Sequence, residues 1–271
     1  MTTWLVVLIV LAIVLGLVWT SLKKQTAEPS IPFGPTGGAA LDFDTLEAQH
    51  PLGVDDLQRL NQENIESFKQ DQIDQIYARL NAGPIPDGPY HGSFFFARGG
   101  NFRNIADVIG GLRGKAIGLK LDLLTGVGEM LWQGKVFYRE PRELRNIIDK
   151  EQVVGALFGV RADEMRTEKI FGEEVALLFP AKLYTGDSQF DPRRPSVIID
   201  YADTAQIDGY IEKIDRLVGK DGLKIRDEIR MLRPGFYLGR AYFGTLFGLN
   251  FTLFNEDVVR SETAAWAAKG G

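Results

Sequence analysis

Residues 226–254 read RDEIRMLRPGFYLGRAYFGTLFGLNFTLF. Three strand-like runs lie close together in this stretch, Asp227 to Leu232, Phe236 to Phe243 and Leu246 to Phe254, all dense in aromatic and aliphatic residues. Further runs of the same kind stand upstream: Tyr90 to Ala97 (YHGSFFFA), Leu131 to Tyr138 (LWQGKVFY), Val175 to Thr185 and Ser196 to Tyr201. So many short strands predict an antiparallel β-barrel or a strongly curved sheet within residues 83–260. Pro180 falls inside one run and predicts an edge or a bulge there, since proline cannot donate to a ladder. Gly134, Gly239 and Gly248 mark places where a small barrel needs sharp bends.

Helical spacing flanks these strands. From Val54 to Leu80 the residues Leu57, Leu60, Ile65, Phe68, Ile73, Ile76, Tyr77 and Leu80 recur at three- to five-residue steps, predicting one or two amphipathic helices over residues 54–82. Ala205 to Val218 carries the same period, and residues 261–271 predict a short tail helix docked by Trp266. Asn104 to Leu131 is helical in period yet carries Gly110, Gly114 and Gly118 at four-residue spacing. Each glycine weakens a helix by roughly 1 kcal/mol, so the stretch predicts a bent helix or two short ones. Such a ridge suits close contact with another helix, or a segment lying on a membrane with Arg113, Lys115 and Lys120 toward headgroups; packing over the sheet is the plainer reading and is preferred.

Ahead of all this, Trp4 to Leu22 reads WLVVLIVLAIVLGLVWTSL, nineteen residues without a charge. At about 1.5 Å per residue this spans the roughly 30 Å hydrocarbon core, so a transmembrane helix is expected over residues 1–24. Trp4 and Trp19 suit the two headgroup levels, and Lys23 and Lys24 stop the segment. A cleaved signal peptide is disfavoured because MTTW has no basic side chain and SLKKQ no cleavage box. The two lysines after the span place the main domain on the cytoplasmic face of a bacterial inner membrane, with the periplasmic face as runner-up. Residues 25–53 hold four prolines and four glycines, and read as a stalk docked at most in part.

The 271 residues carry 31 Lys+Arg against 36 Asp+Glu, and a net charge of −5 argues against nucleic acid as a partner. With no cysteine, thiolate nucleophiles, disulfides and Cys/His zinc sites are excluded; only His50 and His91 are left for metal or Ser–His–acid chemistry, and neither stands in such a context. Gly114-Lys115-Ala116 fails as a phosphate loop. No catalytic residue, metal or cofactor is therefore expected. Asp200, Asp227, Glu228, Arg230 and Arg240 fall within strand runs, together with Asp203 just beyond one. They read either as a polar cluster in a barrel mouth or, on alternation alone, as solvent-facing pairs between neighbouring strands. Clustered phenylalanines, Phe94 to Phe96 and those within Phe236 to Phe254, would line an apolar cavity or fill a core.

Four blocks carry a resemblance: PIPDG at Pro84 to Gly88 with Gly92 following, WQGKVF at Trp132 to Phe137, VIIDYADT at Val197 to Thr204, and RDEIRMLRPGFYLG at Arg226 to Gly239. In this order they resemble an uncharacterised bacterial family of lipocalin-like appearance, over roughly residues 80–254. The resemblance implies a lipocalin-like barrel and no particular chemistry. Ala205 to Arg226 departs from it as a lengthened connection, and the anchor is a further departure. Two functions are expected. The first is a non-catalytic single-pass accessory subunit of a larger membrane complex, photosynthetic or respiratory, with the bilayer and other subunits as partners. The alternative is a tethered lipocalin-like binder of an apolar molecule such as a lipid, quinone or pigment.

Overall fold

Nine strands pair antiparallel in the order β3-β2-β1-β9-β8-β7-β6-β5-β4, and β3 also pairs with β5. Eight of them thereby close into a barrel, with β4 hanging on the outer end of β5. The computed structural model describes residues 29–36, 42–98, 131–149 and 151–271. The strands are β1 (Gly88–Phe95), β2 (Trp132–Tyr138), β3 (Glu143–Ile148), β4 (Thr167–Ile170), β5 (Glu173–Asp187), β6 (Pro195–Asp200), β7 (Ile225–Arg233), β8 (Phe236–Phe243) and β9 (Leu246–Phe254). The seven strand runs expected from sequence are all found. β3 and β4 add to them, their charged and amide residues having hidden the alternation.

Alternation makes the inside of the barrel apolar. Tyr90, Phe137, Leu144, Leu183, Val197, Ile199, Ile229, Tyr237, Phe251 and Leu253, drawn from all eight closing strands, form one buried cluster. An eight-stranded barrel is just wide enough for such side chains to fill. Pro180 does mark a bulge: Asn146 faces Leu178 while Leu144 faces Ala181, and Phe179 between them is left-handed, with φ 52°. Gly134 and Gly248 also lie at register irregularities. At Gly134 an added Cβ would come 1.9 Å from the Tyr90 carbonyl oxygen. Gly239, however, is no bend. It lies in regular pairing, and a Cβ there would sit 2.2 Å from Cζ of Phe251, so the residue makes room for a ring.

A second core lies outside the barrel wall. Helices α1 (Phe43–Gln49), α2 (Val54–Arg59), α3 (Gln62–Ile65) and α4 (Gln70–Ala78) precede β1. The apolar positions Leu60, Ile65, Phe68, Ile73, Ile76, Tyr77 and Leu80 pack with Leu232, Phe236 and Leu238, which alternation places on the outer face of β7 and β8. The helical region therefore breaks into three short helices rather than one or two. Asn61 and Asn64 cap each other's backbone at 2.9 Å and start α3 afresh. The described part of the stalk is docked: Gly34 donates to Gln75 Oε1 at 2.8 Å, Arg79 donates to the Pro32 carbonyl at 2.8 Å, and Leu46 is buried.

Three differences concern the remaining helices. Between β3 and β4 an unanticipated helix, α5 (Glu151–Phe158), closes a small satellite core with Val154, Leu178 and Ile214. The helix expected from Ala205 to Val218 shrinks to α6 (Glu212–Asp215), because Gly209 turns left-handed at φ 71° and the chain before it runs in successive turns. The tail helix, α7 (Glu256–Ala267), is longer than expected and is capped by the Asn255 side chain on Val258 N–H at 3.0 Å. Trp4, Trp19, Lys23 and Lys24 of the expected anchor, and the Gly110, Gly114, Gly118 ridge, lie outside the described residues. Among the described residues no helix is long and apolar enough to cross a membrane.

Candidate functional site

The five strand charges singled out in sequence are divided by the barrel wall. In β7, Asp227 shares parity with Ile225, Ile229 and Met231 and points inward, whereas Glu228 and Arg230 share parity with Leu232 and point outward. Arg240 points outward from β8, and Asp200 lies on the outer side of β6, accepting Tyr184 O–H at 3.2 Å and Ala202 N–H at 2.8 Å. Asp203 is exposed and pairs with Lys220 at 2.7 Å.

Inside the barrel, Asp227 meets residues that the sequence reading missed. Lys135 Nζ donates to Asp227 Oδ2 at 3.0 Å, to Asn146 Oδ1 at 2.9 Å and to Tyr201 Oη at 2.7 Å. Trp132 Nε1 donates to the same Asn146 oxygen at 2.9 Å, and the Tyr201 hydroxyl reaches Asp227 Oδ2 at 3.3 Å. Three rings surround the ammonium, with the centroids of Trp132, Tyr201 and Phe251 at 5.5, 5.4 and 5.5 Å. Lys135 and Asp227 are both almost fully buried. WQGKVF by itself does not place Lys135. Trp132 and Phe137 are an odd number of residues apart, and both belong to the interior cluster only because a bulge intervenes at Gln133-Gly134. That bulge puts Lys135 on the inward side together with Phe137.

The electrostatics keep this group charged. Burial by itself would push the Lys135 ammonium down, but Tyr201 and Asp227 outweigh it and hold it above the ordinary lysine value. Burial pushes the Tyr201 phenol up to about 12, against the pull of Lys135. At neutral pH the lysine is thus a cation with its three protons occupied and the tyrosine is protonated. Above the group the wall is apolar and only partly buried: Phe94, Trp132, Ile225, Ala241 and Leu249 pack on the interior cluster from one end of the barrel. Phe94 and Trp132 are 5.8 Å apart. Asp227 stands one inward position below Ile225 and pairs with small Ala241, so it lies directly under this rim.

The outer charges do different work. Arg230, fully buried, donates to Ser196 Oγ at 3.0 Å and to the carbonyls of Tyr77, Asp191 and Arg194 at 3.0, 2.8 and 2.5 Å. Glu228 accepts from Ser188 Oγ at 2.6 Å and Gln189 N–H at 2.7 Å, and pairs with Arg226. Arg240 is sandwiched between Phe190 and Phe247 at 4.1 and 4.3 Å and pairs with Asp74 at 2.5 Å. These contacts tie α4 and the β5–β6 connection to the wall. His91, on the outer face of β1, stacks on Phe171 at 3.5 Å. Among the described residues no cluster of three or more metal-ligating side chains occurs.

No family model and no curated protein matches this chain. Among solved structures it is similar to a protein from Thermomonospora curvata, at 15% identity over 70% of this chain and 89% of that one, with a TM-score of 0.35, a likeness too slight to bear on function.

Proposed function

We propose that this protein is a non-catalytic, lipocalin-like binder of an apolar molecule such as a lipid, quinone or pigment, tethered to a bacterial inner membrane by the apolar segment Trp4 to Leu22. The observation that carries the reading is the closed eight-stranded barrel, with an aromatic and aliphatic rim at one end over a single hydrogen-bonded polar group. Apolar walls with a few convergent polar groups are what small-molecule sites generally present. The membrane face is proposed as cytoplasmic on the strength of Lys23 and Lys24. Nothing in the fold or the comparisons favours the accessory-subunit expectation over this one.

The test is chemical. The full chain, purified from native membranes and extracted with organic solvent, should yield one small apolar molecule in fixed ratio to protein. A clean extract, together with no change in Trp132 emission on adding apolar compounds, would refute the binder reading.

A further inference from the structure

The buried group around Lys135 holds an amine, an amide and a carboxylate in the order that one side chain needs to react with another. Lys135 and Asn146 stand directly opposite each other in the β2–β3 pairing, and Nζ lies 2.9 Å from Asn146 Oδ1, so the amide carbon is one bond beyond a primary amine. The same Oδ1 accepts the Trp132 indole N–H at 2.9 Å, a donor placed where negative charge develops when that carbon is attacked. Asp227 Oδ2 is 3.0 Å from Nζ, and the Tyr201 hydroxyl bridges that oxygen, at 3.3 Å, to Asn146 Nδ2, at 3.2 Å. A proton thus has a path from amine to carboxylate and on to the amide nitrogen. Lys135, Asn146, Tyr201 and Asp227 are all buried, and Ile199 and Ala241 flank Asp227 on the neighbouring strands. Burial suits such a step, since it keeps water from competing with the amine.

We propose that Lys135 and Asn146 join spontaneously through a side-chain amide bond that ties β2 to β3. Asp227 first takes one proton from the ammonium along their 3.0 Å hydrogen bond. The surroundings lower the cost of that transfer, because a neutral amine beside a neutral acid needs no hydration. The freed lone pair attacks Asn146 Cγ, the Nζ–Cγ bond forms, and Trp132 holds the charge that gathers on Oδ1. As the Cγ–Nδ2 bond breaks, Asp227 passes its proton through Tyr201 to Nδ2 and takes a second one from Nζ. Ammonia leaves, Asp227 ends protonated, and nothing is oxidised or reduced. A buried ion pair is thereby exchanged for uncharged groups.

The experiment is mass spectrometry of the full chain, purified folded, then denatured, weighed intact and digested. The chain should be lighter than its sequence by one ammonia, and the digest should contain a branched peptide carrying both Lys135 and Asn146. A chain of full mass overturns the proposal, and so does an ammonia loss that the digest places at another asparagine. Loss of one water, with Lys135 joined to Asp227, overturns the choice of Asn146. Folded Asp227→Asn, which lacks the proton acceptor, should keep its full mass; a branched peptide in that variant would remove the carboxylate from the step. Should Asp227→Asn not fold, Trp132→Phe takes its place. It removes the donor to Oδ1 and should slow the linkage at least about tenfold in chains sampled at intervals after synthesis; an unchanged rate would overturn the assignment.

Discussion

Two buried cations lie on opposite sides of the same barrel wall, and they are held in opposite ways. Arg230, outside, is fixed by one hydroxyl and three backbone carbonyls from α4 and the β5–β6 connection. Lys135, inside, is held entirely by side chains, those of Asn146, Tyr201 and Asp227. Backbone acceptors cannot rotate away, so the arginine works as a cross-link between helix layer and barrel. Side-chain acceptors can rotate with their χ angles, so the lysine is held by a network whose members depend on one another rather than by a fixed cage. Burial alone would not separate the two, since both cations are buried.

The strongest way to break this comparison is Arg230→Met. It strands three buried carbonyls on separate segments, and no single second substitution supplies replacement donors. A loss of about 4 kcal/mol in urea unfolding is expected; a loss below about 1 kcal/mol would remove the cross-link from the account. Lys135→Met should cost somewhat less, about 3 kcal/mol, by leaving Asp227 charged and unpaired. Here a second change does help: K135M/D227N should recover most of the loss, and a double-mutant cycle without such recovery would show that the inner group is as rigid as the outer.

A smaller effect probes the link between the two sides. Asp215, in α6, accepts the backbone N–H groups of Ile211 and Phe179, each at 2.7 Å, and the Phe179 carbonyl accepts from Asn146 at 3.0 Å. Burial raises the Asp215 carboxyl from 3.8 to about 6, against those two hydrogen bonds and Arg145. Because the folded state then holds the proton more tightly than the unfolded one, this residue stabilises the fold on acidification. Between pH 7 and pH 4 the protein should gain about 2 kcal/mol relative to Asp215→Asn, and the gain should vanish again as pH rises through 6. Stability curves that run parallel for the two proteins would disprove it.

Strand positions and the amphipathic helices were legible because apolar spacing is set by burial, and burial is what the barrel and its helical cover impose. The charges of β7 were read together with those of β6 and β8, as one mouth cluster or as solvent-facing pairs, but the wall divides them, and the outward Glu228 and Arg230 are buried under the helical cover rather than in solvent. Uniting Asp227 with Lys135 was out of reach. It requires knowing that β2 and β7 face each other across a closed ring, and that the bulge at Gln133-Gly134 shifts the parity of everything after it. β3 escaped for a related reason: Arg145 and Asn146 interrupt ELRNII, although Asn146 is buried in the barrel because it has partners there. Gly239 was noticed for its backbone, yet its role is space for the Phe251 ring, a contact from the neighbouring strand.

The seam between β1 and β9 sets a timetable. His91 to Phe95 pair with Asn250 to Phe254, so the first strand of the barrel waits for a partner translated roughly 150 residues later. At about 5–20 residues per second that is on the order of ten seconds during synthesis. Throughout that interval β1 keeps an unpaired edge, and the aromatic inward face of the sheet has nothing to close over it. The final strand therefore acts as the lock of the fold. A chain stopped short of Phe254 would present the ribosome and its chaperones with an open, sticky sheet, and quality control of this protein rests on whether its last few dozen residues arrive.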